Sequence, residues 1–576
     1  MAHKVPKTLM KPLELNASQK HTIETMIEKA CKKHKVKGAT ITITGKEKTL
    51  FSMHYGVIDQ KETPNHEAAM MMIGSTTKLL TGIAILVLCD AKKLRLDDAI
   101  DTHVSDLNIP NESKGGTVTI EDLLMHAGGL ASDDMDLITN QNKTLKDTVE
   151  ALNKTVRRVP PKTMYSYSNL SYALLGLIIE SVTNMPYEAA LKKLVLDPLK
   201  LDMIIGKDAS VSKNMQGRFS QSFDKKGKLA IERLSHAMTA SGSCTYATGE
   251  ANAKLIRFFL QEHPTSVLKK ETFQAMKHRL QTAHVDDDEM TSGLAMRHGY
   301  HRFYTEACNP IIGHGGATMY HHSTFDIALN QGFGIGIMTN SKNGLKMLNS
   351  LSVELLVQCF KAQGINIIKK PPRLDEKPFE NKASMARDFV MQGMVIRHQL
   401  KRDQLFVKIA ILKAKCVMQS DGFYALKPRG IARLPLLRKG FLNTRFKQTQ
   451  KRDETVLMVE QASAYQKMSI ALGSPLQTKK VPDAWKKAVG SYRVNNTNEA
   501  LKKATESVRL TIKKDILILT MKILGSPNKV LLEPLNDRTA ITQGFGRNAR
   551  ETLQLVHLEN KNTLHFQGIE MIKTKN

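Results

Sequence analysis

Ser75 and Lys78 stand three residues apart in Gly74-Ser-Thr-Thr-Lys78, a spacing that puts both on one face of a helical turn. A lysine desolvated against an apolar helix has a depressed pKa and can take the proton from a serine hydroxyl, leaving a nucleophilic oxygen. The start of that helix also offers free N–H groups and the positive end of a dipole to an oxyanion. The plain alternative is a capping serine with a surface lysine. Tyr167-Ser168-Asn169, again ahead of an apolar run, brings a phenol that can move protons if nearby cations lower its pKa. Its asparagine amide can bond a lysine and a substrate amide at once. Here the alternative is a turn tyrosine beside a helix cap. In Gly313-His-Gly-Gly-Ala317, glycines let backbone approach a ligand closely. The N–H groups of Ser75 and Ala317 make a candidate oxyanion hole. His314 can donate to a substrate carboxylate or assist proton transfer, or can simply face solvent on a glycine-rich hairpin turn.

The elements that must position these residues are legible in the periodicities. Residues 79–93 (LLTGIAILVLCDAKK) predict a helix that is apolar almost all round and hence buried. Leu170–Val182 and the region of Leu255–Leu260 predict two more. Ile23, Met26, Ile27 and Ala30 recur at helical spacing behind a candidate N-cap at Ser18. Ala39–Thr44 alternates and is rich in β-branched residues, so it reads as a strand, with Leu50–Val57 as its hairpin partner. The glycines of Gly332–Met338 lack the spacing of a phosphate loop and alternate as in a strand.

The composition changes after residue 365. Lys369-Lys-Pro-Pro372 marks a linker. Strand patterns follow, including Leu405–Ile409 and Thr455–Val459. A second break falls near Pro475–Pro482. Val489-Gly-Ser-Tyr492, Arg509–Ile512, Ile516–Leu519 and Thr552–Leu558 then form another β region.

Bulk properties exclude several classes of function. At 576 residues the chain is too long for one core, so two to four domains are expected. It is 41% hydrophobic and 24% charged, an ordinary globular balance that argues against disorder. The net charge of +29 comes from scattered residues and aromatics are only 5%, which favours a solvated basic surface over nucleic-acid binding. The six cysteines contain no C-x-x-C pair, so free thiols are expected and zinc is not. His298, His301, His314, His321 and His322 lack an H-E-x-x-H arrangement, and the acidic run Asp286–Glu289 reads as a loop, so no metal site is expected. MAHKVPKTLMKPLELNASQK has no apolar signal core, and Ile83–Cys89 falls far short of the ~20 residues of a membrane span. A cytoplasmic protein without a membrane span is the expectation.

In order, spacing and flanks, the three motifs resemble those of the class C β-lactamase, D-alanyl-D-alanine carboxypeptidase and esterase superfamily. The segments carrying the resemblance are Ile73-Gly-Ser-Thr-Thr-Lys-Leu79, Val118-Thr-Ile-Glu-Asp-Leu-Leu-Met-His-Ala-Gly-Gly-Leu130, Tyr165-Ser-Tyr-Ser-Asn169 with the helix after it, and Gly313-His-Gly-Gly-Ala-Thr318. The resemblance implies an α+β fold over residues 1–366, an antiparallel sheet flanked by helices plus a helical insertion. It implies that Ser75 attacks an acyl carbon and that Lys78 and Tyr167 share proton transfer. Asn169 would position Lys78 and the substrate, the N–H groups of Ser75 and Ala317 would hold the oxyanion, and His314, Gly315 and Gly316 would line the substrate side. No cofactor is implied. The expected partner is a small ester, amide or D-amino-acid peptide, cleaved through an acyl-enzyme. A catalytically silent scaffold on the same fold is the alternative.

Two departures bear on substrate choice. His314-Gly315-Gly316 stands where β-lactamases carry Lys-Thr-Gly or His-Thr-Gly, so the hydroxyl that grips an anionic substrate end is missing. Ala127 and Gly128 replace a commoner flank, beside a His126 expected to pack rather than catalyse. Residues 484–576 resemble the lipocalin-like β-barrel that follows some members, and 373–478 read as a β-rich module of the same general kind.

Overall fold

The computed structural model describes residues 11–574 apart from 114, 207–216, 233, 263–266, 279–290, 300, 370–373, 452–453, 524–525 and 559–560. Lys370-Pro371-Pro372 of the linker signal, the run Asp286–Glu289 and the first ten residues lie outside the described residues. The β-branched run at Ala39 forms strand Gly38–Gly45, antiparallel to Thr49–Gly56 on one side and to Phe333–Thr339 on the other. His322–Ala328, Ile311–Ala317, Arg297–His298 and Thr291–Ser292 complete a seven-stranded sheet.

Alternation divides the two faces of this sheet. Ala39, Ile41, Ile43, Ile335 and Ile337 share a core with helices Ala17–His34 and Gly344–Ala362. Thr40 and Thr42 face helix Gly249–Leu260, so closely that a methyl on Gly249 would lie 2.6 Å from the Thr40 methyl. Gly334 serves the same approach, since a Cβ there would come within 2.5 Å of Ile256. The glycines that superficially suggested a phosphate loop are thus strand glycines that admit a helix.

The helix at Ala17 is capped by Asn16, not Ser18. The Asn16 side chain accepts from Gln19 N and the Gln19 side chain accepts from Asn16 N, both at 2.9 Å. This reciprocal pair satisfies two helix-end donors, whereas Ser18 lies inside the helix. Helix Thr77–Asp90 is buried at every position from Thr77 to Leu86. It stops short of Lys93 because Lys92 adopts a left-handed conformation. It shares a second core with helix Asn169–Thr183. Among the described residues no helix is long and apolar enough to cross a membrane.

Two closed eight-stranded arrangements follow. In the first, strands from Phe389–Met391 to Gln466–Pro475 pair in sequence, and Gln466–Pro475 closes the ring by pairing with both Phe389–Met391 and Glu454–Ala462. Arg302–Phe303 of the preceding domain adds to Gln466–Pro475. The second is a barrel from Gly490–Val494 to Ile569–Lys573. Its strand Ile516–Ile523 is apolar on both faces because Leu517, Leu519 and Met521 fill the barrel, while Ile516 and Ile518 pack outward with Val390 of the first barrel.

Trp485, the only tryptophan of the chain, plugs the second barrel and donates its indole N–H to the Asn536 carbonyl at 2.8 Å. Leu519→Ala is expected to destabilise this barrel by about 2–5 kcal/mol, the cost of a cavity in a packed core. Trp485 fluorescence during urea unfolding reads the change, and an unmoved midpoint would contradict the packing described.

Candidate functional site

A one-turn helix, Gly74–Thr76, leads directly into Thr77–Asp90 and carries Ser75 at the edge of the sheet. Strand Ile311–Ala317 presses against it. Gly74 has φ +55°, and a Cβ there would stand 2.5 Å from Ala317 N. A Cβ on Gly316 would collide with the Ile73 carbonyl. On the next strand, Ser323 donates to the Ile73 carbonyl at 2.6 Å and lies 2.9 Å from the Thr76 hydroxyl. From the other side, a Cβ on Gly242 would be 2.6 Å from Ser75 N. Backbone packing, with glycine at each contact, brings Ser75 and Ala317 side by side.

Lys78 is fully buried. Its Nζ lies 3.2 Å from Ser75 Oγ and 2.8 Å from Asn169 Oδ1, and it donates to the Ser241 carbonyl. Burial drives its pKa far below the ordinary lysine value, helped by Arg547 and Arg297 and opposed by Asp133. The two carbonyl oxygens can only accept, so Lys78 donates to both, and Ser75 Oγ is the third polar neighbour of its Nζ.

Asn169 opens helix Asn169–Thr183, capped by Ser168, whose hydroxyl accepts from Ser171 N at 2.9 Å. Its amide is oriented from behind: Nδ2 donates to Asp133 Oδ1 at 2.6 Å, and Arg547 Nη2 donates to Asp133 Oδ2 at 2.6 Å. Burial opposes the charge on Arg547, but Asp133 more than offsets this and holds its pKa above the ordinary value. Arg547 lies in the 544–551 segment of the second barrel. That segment is clasped to the catalytic side by Asn548 N on the Ser132 hydroxyl (3.1 Å) and Ser132 N on Glu551 Oε1 (3.0 Å).

Tyr167 is buried, and its hydroxyl hydrogen-bonds Ser75. Its ring lies 4.8 Å from the Arg297 guanidinium and 5.0 Å from that of Arg547. Its phenol pKa is not lowered, because burial raises it by more than the two arginines and Ser75 bring it back. His314 is buried rather than facing solvent, with Nδ1 2.7 Å from the Gly315 carbonyl. A carbonyl accepts only, so Nδ1 carries the proton. Burial, Arg297 and Lys78 push its pKa well below the usual value. In that state its Nε2 accepts and cannot donate to a carboxylate. His126 packs on Tyr167 at 4.4 Å and on Tyr172 at 5.0 Å, and its Nδ1 accepts from Ser168 N.

The structure therefore brings Ser75, Lys78, Tyr167, Asn169, His314, Gly316 and Ala317 together, with Gly315 partly exposed on the same strand. Sequence reasoning missed Asp133, Ser241, Arg297 and Arg547. Arg547 was visible only as part of a barrel segment, 414 residues from the carboxylate it meets. Beyond Asp133, helices Met135–Thr139 and Asp147–Asn153 and the second barrel line an open cavity of about 330 Å³, with Ser166, Asp134 and Glu551 in its wall. Among the described residues no three His, Cys, Asp or Glu side chains converge as metal ligands.

The family model described as Beta-lactamase matches residues 23–356, more than half of the chain. Protein flp of Staphylococcus aureus (strain MW2) is 34% identical over 189 residues, 32% of this chain and 38% of that protein. Penicillin-binding protein 4 of Amycolatopsis lactamdurans is 33% identical over 129 residues, 22% of this chain and 34% of that protein. The chain thus spans little more than a third of the curated relatives it matches. The crystal structure of SurE superposes with a TM-score of 0.57 at 17% identity, over 80% of this chain and 99% of that one. The octameric penicillin-binding protein homologue from Pyrococcus abyssi gives a TM-score of 0.50 at 17% identity, over 96% and 99%. Both likenesses are of fold.

Gly74→Ala is expected to destabilise the domain by about 1–3 kcal/mol, since a side chain at this φ is strained and would meet Ala317. Thermal unfolding checks it, and an unshifted melting temperature would contradict the close approach of these segments.

Proposed function

Because the chain belongs to the beta-lactamase family, we propose that it is a serine hydrolase working through an acyl-enzyme on Ser75. The observation that carries this reading is the fully buried Lys78 amine, 3.2 Å from Ser75 Oγ, bonded to the Asn169 and Ser241 oxygens and lowered in pKa by burial. Lys78 takes the Ser75 proton as Oγ attacks the acyl carbon. Negative charge develops on the carbonyl oxygen and is held by the N–H groups of Ser75 and Ala317. Tyr167, kept as a neutral phenol by burial, hands a proton to the leaving group and is recharged by Lys78. Water then enters, gives up its proton to the same pair, and releases the acid.

The substrate class is small esters, amides or D-amino-acid peptides. Gly315 offers no hydroxyl and His314 no charge, so the third strand supplies shape rather than an anion grip. Asn169, His314, Gly315 and Gly316 line the side on which the acyl group lies. A silent scaffold has no physical need of a neutral lysine buried against a serine, because an apolar residue of similar volume fills the same space at lower cost.

Intact-mass spectrometry after incubation with a fluorophosphonate, a penicillin and a p-nitrophenyl ester tests the reading. Wild type is expected to gain one adduct and Ser75→Ala none, and the reagent that reacts narrows the substrate class. Lys78→Met is expected to slow adduct formation about 10²–10⁴-fold, the usual share of general base catalysis. Folded wild type that reacts with none of the three would overturn the proposal.

Arg547→Gln removes a cation that favours neutral Lys78 and leaves Asp133 uncompensated. Both changes raise the Lys78 pKa, so the acid limb of kcat/KM is expected to move to higher pH. The loss near neutrality should be about tenfold or more, with loosened geometry adding to it. Arg547→Lys should restore much of the limb, and a profile merely scaled down would show that Arg547 acts only in packing.

A further inference from the structure

The first C-terminal barrel carries an outer face that the proposed chemistry does not use. In register across four neighbouring strands stand Arg397, Lys408, Lys413 and Arg429. Their sequence neighbours Ile396, Val407 and Ala414 are buried inside the barrel, so the four cations lie on its outside. Lys415 and Lys427 are directly opposed in an adjacent row. Like charges directly opposed across strands destabilise a sheet. Only Arg397, with Asp388, and Lys427, with Glu376, have carboxylate partners among the described residues.

Large apolar side chains project beside this row. Ile411, in the two-residue turn that joins Ile409 to Leu412, is 75% exposed. Arg429 runs straight into Gly430–Arg433 and helix Pro435–Leu442. There Ile431, Leu434 and Leu442 are at least half exposed, and Leu436 is 91% exposed. Arg433, Arg438 and Lys439 are exposed among them. The chain contains no Asp or Glu between Asp421 and Asp453.

We propose that this face docks the protein on an anionic lipid bilayer, with Ile411, Leu434 and Leu436 entering the headgroup boundary and the cation rows lying against the headgroups. Cations attract a negatively charged leaflet, and protruding apolar side chains bury themselves at its interface. A second copy of the chain is a poor occupant, because a twofold contact would set the same cations against one another. A nucleic acid would neutralise the cations but offer nothing to Leu436. The inference is independent of the acyl-enzyme reading.

Co-sedimentation of the full chain with vesicles tests it. Wild type is expected to bind phosphatidylcholine vesicles containing phosphatidylserine, to release in high salt, and to bind pure phosphatidylcholine weakly. Each of Lys408→Gln and Lys413→Gln should weaken binding about fivefold, the equivalent of about 1 kcal/mol per cation. Ile411→Ser with Leu436→Ser should also weaken it, and circular dichroism would verify that these surface variants fold. Wild type that ignores phosphatidylserine overturns the proposal. So does a double serine variant that binds as tightly as wild type while the glutamine variants do not, because that pattern describes a polyanion and not a bilayer.

Discussion

A lysine amine without water around it cannot readily keep its proton, and the site is organised by that constraint. Lys78 sits at the start of a helix whose first ten positions are all buried. A lone ammonium there would cost several kcal/mol. The oxygens of Asn169 and Ser241 accept from the amine and hold it 3.2 Å from Ser75 Oγ. Burial lowers the pKa of an amine fixed against that hydroxyl.

The same constraint extends outward. For Asn169 to present its oxygen to Lys78, its nitrogen must have an acceptor behind it, which is Asp133. Asp133 close to the site would favour a charged Lys78, and Arg547 compensates it. The second barrel thus supplies Arg547 to the hydrogen-bonded surroundings of Asn169 and Lys78. Its 544–551 segment is held to Ser132 by two backbone-to-side-chain bonds, through Asn548 and Glu551, just after Arg547. Arg297, from the catalytic sheet, adds a second cation at Tyr167.

Much of this was legible in advance, for reasons that differ by element. The strand Gly38–Gly45 and the helices around Ile83 and Leu174 follow from periodicity, because each buries a face or a whole surface in a local pattern. The glycines of Gly332–Met338 were read as strand residues from their alternation, and the helix they admit accounts for them. The cap at Asn16 was misplaced by two residues, because Ser18 is an equally good capping residue and only the reciprocal bond with Gln19 decides between them. The burial of Tyr167 and His314, which raises the pKa of the one and lowers that of the other, is a property of packing that the motifs do not contain.

The sequence by itself determined the order of elements, the spacing of Ser75 and Lys78, and the three segments that converge on them. These are local properties: spacing on a turn, apolar faces, glycine where backbone must touch backbone. Tertiary structure alone decided which groups are buried and which residues stand behind Lys78 and Asn169. Asp133, Ser241, Arg297 and Arg547 come from four separate parts of the chain, and none has a spacing that announces its role. Charge state depends on burial and on neighbours brought from hundreds of residues away, so it exists only once the sheet, the helical insertion and the second barrel have closed around Lys78.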